Sequence, residues 1–321
     1  MNWTILNASH SGDPRIAASE GASYLNQSTK RPIVVFSHGL AACRTSYSFL
    51  CTDLASRGYF VAALEHGDGS ACLRSLKHTI DGDIEFKYQD LIEPGRPEYD
   101  IRNKQVRIRT SEASEALNTL EEMNHGNFDK IWIQNISEDE KDKFQKDVKG
   151  SMSLDMVTIG GHSFGGATTT LSLATDPRFK IGVALDSWMF PIREEKLNYT
   201  SPGKLLFINC EKFQGEKNLA TMKTYEGSLD SEVPSNVLTV LKATHYAPTD
   251  IPVIMEGSSA ASLYKVLGGG GETNDGLNNM DSLQLFSDLF HNWILRCMGQ
   301  KNSFAKQVME HQDHLKYGID Q

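Results

Sequence analysis

A chain of 321 residues, 39% of them hydrophobic, is long enough to enclose one large core, and a single main domain is the expectation. Its formal charge of −9 leaves no basic excess to neutralise phosphates, which argues against nucleic acid as a partner and weakens docking to anionic membranes by charge alone. Five cysteines, Cys43, Cys51, Cys72, Cys210 and Cys297, have neither metal-ligand nor redox spacing and read as reduced thiols.

Residues 1–30 form an N-terminal extension before the first strand-like run. They show neither the apolar core of a signal peptide nor a Met-Gly start, and the chain has no apolar run of membrane-spanning length. That pattern favours a cytoplasmic protein. Five Asn-x-Ser/Thr triplets, at Asn2, Asn7, Asn26, Asn135 and Asn198, carry meaning only in a secreted chain, the alternative if the N-terminus is incomplete.

From Pro32 onward, apolar runs alternate with amphipathic stretches, which predicts an α/β fold: a mostly parallel central sheet with helices on both faces, over residues 31–300. Strands are expected at 33–37, 60–65, 156–160, 181–185, 204–209 and 236–241. Helices are expected at 47–57, 101–124, 165–175 and around 222–225. A last helix over 282–298 lines up Leu283, Phe286, Phe290, Trp293, Ile294 and Cys297 on one face as core. The charged segment 135–150 reads as a solvated excursion, and residues 301–321 as a polar tail. The glycine-rich stretch 268–279 lacks the Lys-Ser/Thr ending of a phosphate-binding loop and reads as a linker.

The strongest chemical signal is Gly160-Gly161-His162-Ser163-Phe164-Gly165-Gly166, placed directly after the apolar run Met156-Val157-Thr158-Ile159. A strand that ends in Gly-x-Ser-x-Gly and opens a helix forms a nucleophile elbow, in which small neighbours let one serine hydroxyl stand exposed on a strained turn. Ser163 is therefore the candidate nucleophile. A serine hydroxyl attacks esters poorly until a base removes its proton, so a histidine and an orienting carboxylate should follow in the order serine, acid, histidine.

Two carboxylates sit just after strand ends, Asp186 and Glu211, and position leaves both open. The apolar setting Leu-Asp-Ser-Trp-Met-Phe would desolvate Asp186 and strengthen its pull on an imidazolium, which favours it. Of the downstream histidines, His291 lies within the last helix, and His311 and His314 lie in the polar tail. His245 follows a strand in a loop, as a general base should. Two backbone N–H donors must also face the oxyanion: Phe164, next to the nucleophile, and Leu40, in the strand-to-loop run Phe36-Ser37-His38-Gly39-Leu40. His38 then reads as a residue that shapes this loop.

With these residues assembled, the chain resembles the platelet-activating factor acetylhydrolase family, the group VII phospholipase A2 enzymes of the α/β-hydrolase superfamily. The resemblance rests on residues 34–40, 53–58, 61–63, 65–66, 102–107, 161–168 and 184–191, in order along the chain. It implies the triad Ser163, Asp186 and His245, choosing Asp186 over Glu211, with oxyanion donors at Leu40 and Phe164. It also implies calcium-independent hydrolysis, with no metal or cofactor, of short or oxidised sn-2 acyl groups of glycerophospholipids. The same machinery would serve a general carboxylesterase or lipase, and the bare fold a non-catalytic binding protein, against which the full set of triad residue types argues. Two departures stand out: Ala41-Ala42-Cys43-Arg44 where the family has Gly-Ala-Phe-Arg, and Gly67 where it has an arginine. Family members also carry more chain before the first matching strand. A phospholipid substrate raises transient contact with a membrane or lipoprotein surface, for which the apolar stretches 251–255 and 260–267 are candidates, with core packing the favoured alternative for both.

Overall fold

The computed structural model describes residues 30–78, 84–90, 97–129, 137–197, 204–226, 235–256 and 277–319, together with 92, 95 and 131. The segments 260–267 and 268–276 and all five sequon asparagines lie outside them. Runs of apolar residues with every second side chain facing the same way build the strands of one sheet, the central ones buried on both faces. These are β1 (Arg31–Ser37), β2 (Phe60–Ala63), β5 (Met152–His162), β6 (Phe179–Leu185), β7 (Leu205–Cys210) and β8 (Val237–Val240).

They lie in the order β2-β1-β5-β6-β7-β8, all parallel. Ile33 and Val35 of β1, Ala184 of β6 and Phe207 of β7 join a core under α2 (Glu98–His125) and α4 (Phe164–Thr175). The alternate residues Val34, Phe36, Ile181, Val183 and Ile208 join a second core under α1 (Ser48–Ser56) and the long helix Asn279–Cys297. Each helix is therefore fixed by one face of a single sheet. Among the described residues no helix is long and apolar enough to cross a membrane.

Four segments differ from the sequence reading. The excursion before β5 contains α3 (Glu138–Val148), started by a capping box in which Ser137 and Glu140 satisfy each other's backbone N–H, and anchored by buried Val148. The expected helix around 222–225 is α5 (Glu216–Lys223), with Met222 in its last turn. A two-stranded antiparallel hairpin, β3 (Leu73–His78) with β4 (Ile84–Tyr88), stands outside the main sheet; its polar composition hid it.

The stretch 301–321 is not a simple polar tail. It contains the helix Lys301–Glu310 and β9 (Leu315–Tyr317), which pairs antiparallel with β8 and closes the sheet edge. A few apolar anchors suffice for this: Phe304 is fully buried against Trp293 at 5.3 Å between ring centroids, and Val308 and Leu315 are buried beside it. Phe304→Ala should therefore cost about 3–5 kcal/mol of stability, as for other buried phenylalanines, measured as a lowered urea midpoint.

Candidate active site

β5 ends at His162 and α4 begins at Phe164, so Ser163 is the whole turn between them, at φ 56 and ψ −114. A non-glycine residue held there is strained, and the surroundings impose it. The Ser163 N–H donates to Leu185 O at 2.9 Å, and its carbonyl accepts from Gly166 and Trp188 at 2.9 and 3.0 Å. A Cβ on Gly165 would stand 2.0 Å from the Ser37 carbonyl oxygen, and one on Gly161 would stand 2.4 Å from the Gly165 carbonyl oxygen. Both positions demand glycine because strand, turn and helix touch through their backbones.

The C-terminal ends of β5, β6 and β8 bring Ser163, Asp186 and His245 together. His245 Nδ1 donates to Asp186 Oδ2 at 2.6 Å, which leaves its Nε2, 2.9 Å from Ser163 Oγ, as the acceptor for the serine proton. Asp186 is fully buried, and its Oδ1 accepts from the Cys210 N–H at 2.8 Å and Gln214 Nε2 at 2.6 Å. Gln214 is held in turn by Asn218, whose Nδ2 donates to Gln214 Oε1 and to Ser187 O. Phe213 stacks on the His245 ring at 3.6 Å between centroids.

Glu211 is placed elsewhere. It is exposed, and its Oε2 accepts the Lys242 N–H at 2.7 Å, bracing the turn after β8. His291 pairs with the Tyr59 hydroxyl at 2.9 Å, while His311 and His314 lie in the turn before β9. His162, Asp186 and His245 gather three potential metal-ligand atoms within 4.8 Å. They could hold an ion only by giving up these bonds, since His162 also uses both ring nitrogens, on Tyr47 and on the His245 carbonyl.

The loop after β1 runs against the nucleophile: a Cβ on Gly39 would lie 3.3 Å from Ser163 Cβ. In the Gly39–Leu40 peptide the carbonyl and the N–H point in opposite directions. The carbonyl end is captured by His38 Nδ1–H at 2.7 Å, with Arg109 Nη2 at 3.5 Å, and no acceptor among the described residues takes the Leu40 N–H. Phe164, first residue of α4, has an N–H with no intrahelical acceptor.

Arg109 serves both halves of this arrangement, donating to His38 O at 2.5 Å and lying over the Phe164 ring at 4.3 Å. Its charge is matched by Asp68 at 2.9 Å, with both side chains fully buried. Burial pushes the Asp68 carboxyl up, but Arg109 and the Ser70 bonds outweigh it and hold the group below its usual value.

Sequence reasoning did not find Tyr47, Asp68, Arg109, Phe213, Gln214 or Asn218, and it gave His162 no task. Arg109 carried a signal, as a charge within the buried stripe Val106, Thr110 and Ala113 of α2, where an arginine needs a partner. Gln214 carried none beyond its place just past a strand end.

A parallel sheet with a serine elbow at the end of β5, and a carboxylate and a histidine just past the ends of β6 and β8, has the α/β-hydrolase fold. Residues 2–286 match the family model of platelet-activating factor acetylhydrolase, isoform II, and the chain belongs to that family. It is 41% identical over 205 residues to a dog protein named platelet-activating factor acetylhydrolase, covering 63% of this chain and 45% of the relative. It is 33% identical over 250 residues to the chicken protein of the same name, covering 74% of this chain and 57% of the relative. The chain thus spans about half the length of these curated relatives. Among solved structures, a ferulic acid esterase from Streptomyces cinnamoneus superposes with a TM-score of 0.56 at 20% identity, covering 84% of this chain and 68% of that one, a likeness of fold.

Two outcomes follow from these contacts. Gly165→Ala should displace the elbow or prevent folding, read as loss of the native near-UV circular dichroism, because the clash is with backbone. Asp68→Asn leaves the Arg109 guanidinium buried without a counter-charge and should cost about 3–5 kcal/mol at pH 7. A carboxyl whose folded pKa is depressed stabilises above its unfolded value of 3.8 and loses that contribution as pH falls through the folded value. The deficit in urea midpoint should therefore shrink as pH falls below 3.8.

Proposed function

We propose that the protein is a serine esterase that removes the sn-2 acetyl, or another short or oxidised acyl group, from glycerophospholipids through an acyl-enzyme. The observation that carries this reading is the unbroken bond chain from Asp186 through His245 to Ser163, 2.6 and 2.9 Å, at the elbow of a chain in this family. The names of the dog and chicken relatives support the acetyl ester as substrate.

In this mechanism His245 Nε2 takes the Ser163 proton as Oγ attacks the ester carbonyl, and Asp186 stabilises the imidazolium that results. The Leu40 and Phe164 N–H groups receive the oxyanion; one such donor is worth on the order of a hundred- to a thousand-fold in turnover. As the intermediate collapses, the carbonyl carbon–oxygen bond to the glycerol breaks and His245 returns the proton to the departing lysophospholipid. Water, deprotonated by His245, then splits the acyl-enzyme, releases the short acid and restores the Ser163 hydroxyl. Phe213, stacked on the His245 ring at 3.6 Å between centroids, fixes the plane in which the imidazole takes and returns the proton.

Contact with a lipid surface belongs to the same reading. Ile254 of α6 (Ile251–Met255) and Met280 of the long helix are exposed apolar side chains, and Asn279 bonds to Pro252 between them.

The test is hydrolysis of a 2-acetyl glycerophosphocholine beside a long-chain phosphatidylcholine, with a fluorophosphonate probe for Ser163. Wild type should label and prefer the acetyl substrate; Ser163→Ala should not label and should lose about a thousand-fold or more in kcat. Preference for long sn-2 chains would make it a lipase of the same fold, and an unlabelled wild type would make it a binding protein.

A further inference from the structure

Tyr47 and His162 are almost completely buried behind Ser163, and neither is consumed by the proposed chemistry. Their polar atoms form a single chain: Gly39 N to Tyr47 Oη at 3.0 Å, Tyr47 Oη to His162 Nδ1 at 2.8 Å, and His162 Nε2 to His245 O at 2.8 Å.

The ends of this chain fix the direction of every proton in it. A backbone N–H can only donate, so Tyr47 Oη accepts from Gly39. A carbonyl can only accept, so His162 carries its proton on Nε2. Nδ1 is then a bare acceptor, and the Tyr47 O–H must point to it. Burial, with His245 beside it, holds His162 well below the ordinary histidine value, which keeps the ring neutral and this tautomer available. Burial likewise pushes the Tyr47 phenol up, so it keeps its proton.

The two ends belong to the two segments that must be held in register across Ser163. Gly39 precedes Leu40, the proposed donor; His245 is the proposed base. We propose that Tyr47 and His162 are positioning residues that lock the Leu40 donor loop to the His245 loop through this one-way hydrogen-bond chain. The inference rests on the esterase reading above and deepens it. Neither residue touches substrate; each acts through the backbone it holds. The contact matters because a displacement of about 1 Å at a catalytic group costs on the order of a hundred-fold in rate.

Tyr47→Phe removes one oxygen and keeps the ring that packs on Phe36 at 5.0 Å. On p-nitrophenyl acetate, kcat should fall about 10- to 100-fold with KM within about twofold. His162→Gln, which keeps a donor toward His245 O, should lose less than His162→Leu. The double variant Tyr47→Phe/His162→Leu should lose no more than the worse single one, since either break opens the same chain. A Tyr47→Phe enzyme with kcat within twofold of wild type, or losses that multiply in the double variant, overturns the proposal. Should Tyr47→Phe fail to fold, nitrogen NMR of the wild-type histidine rings decides: protonated Nε2 with bare Nδ1 at His162 is the expected signature, and the opposite tautomer refutes it. Failure of the esterase reading is separable, because it shows as wild type that neither hydrolyses the ester nor labels at Ser163.

Discussion

The site depends on one close approach: the carbonyl end of β1 pressed against the serine elbow. Ser37 O lies 2.0 Å from where a Gly165 side chain would begin and 2.7 Å from where a Gly161 side chain would begin. With no side chain at either glycine, β1, the end of β5 and the start of α4 meet through backbone alone. This brings the loop after Ser37 alongside Ser163, where a Cβ on Gly39 would lie 3.3 Å from Ser163 Cβ. A larger residue at either glycine would drive β1 and the elbow apart, because the atoms it meets are backbone. The strain at Ser163, φ 56, is tolerated because its N–H bond to the Leu185 carbonyl and the N–H bonds its own carbonyl accepts from Gly166 and Trp188 over-determine it.

Buried charge is arranged around this contact with opposite effects on its two sides. On the donor side Arg109 brings a cation to two backbone carbonyls and the Phe164 ring, with Asp68 to neutralise it. An arginine is suited to this because its planar fork reaches several acceptors at once. Beside His245, Asp186 takes two donors on Oδ1 and the imidazole on Oδ2, a full set for a buried carboxylate. The same comparison explains why Glu211 is no rival: an exposed carboxylate bonded to one backbone N–H has little leverage on an imidazolium.

The parallel sheet and the elbow were legible because both are local: alternating apolar runs, and a serine between small residues at a strand end. Ser163, Asp186 and His245 followed from strand ends and chain order, although position left Asp186 and Glu211 both open, apolar neighbours favoured Asp186 and the family likeness chose it, because burial is a property of the assembled fold. The supporting residues were not legible for the same reason. Tyr47 and His162 are 115 residues apart, and Arg109 and Gly39 are 70 apart; no spacing rule links them. Phe304 and Leu315 were hidden by their polar neighbours, so a helix and an edge strand read as a tail. Their apolar anchors are few, but each is buried against a core already in place.

The departure at Ala41-Ala42-Cys43 can be weighed in the same terms. Ala41 adopts φ 57, a conformation that glycine, the family's residue here, takes without strain, so the backbone follows the left-handed path despite the methyl group. Ser70 O accepts the Ala41 N–H at 2.9 Å, and Ala42 O accepts from Cys72 at 3.0 Å, which pins the loop on the side away from its sequence neighbours. Arg44, retained from the family pattern, pairs with Glu65 at 3.0 Å. Cys43, replacing a phenylalanine, contacts Thr45 and Ser46 of its own turn through Sγ. The Leu40 N–H is a backbone group, so its place depends only on the path of the loop, and three independent anchors keep that path. What the substitution removes is side-chain volume at position 43, on a loop whose backbone these anchors hold.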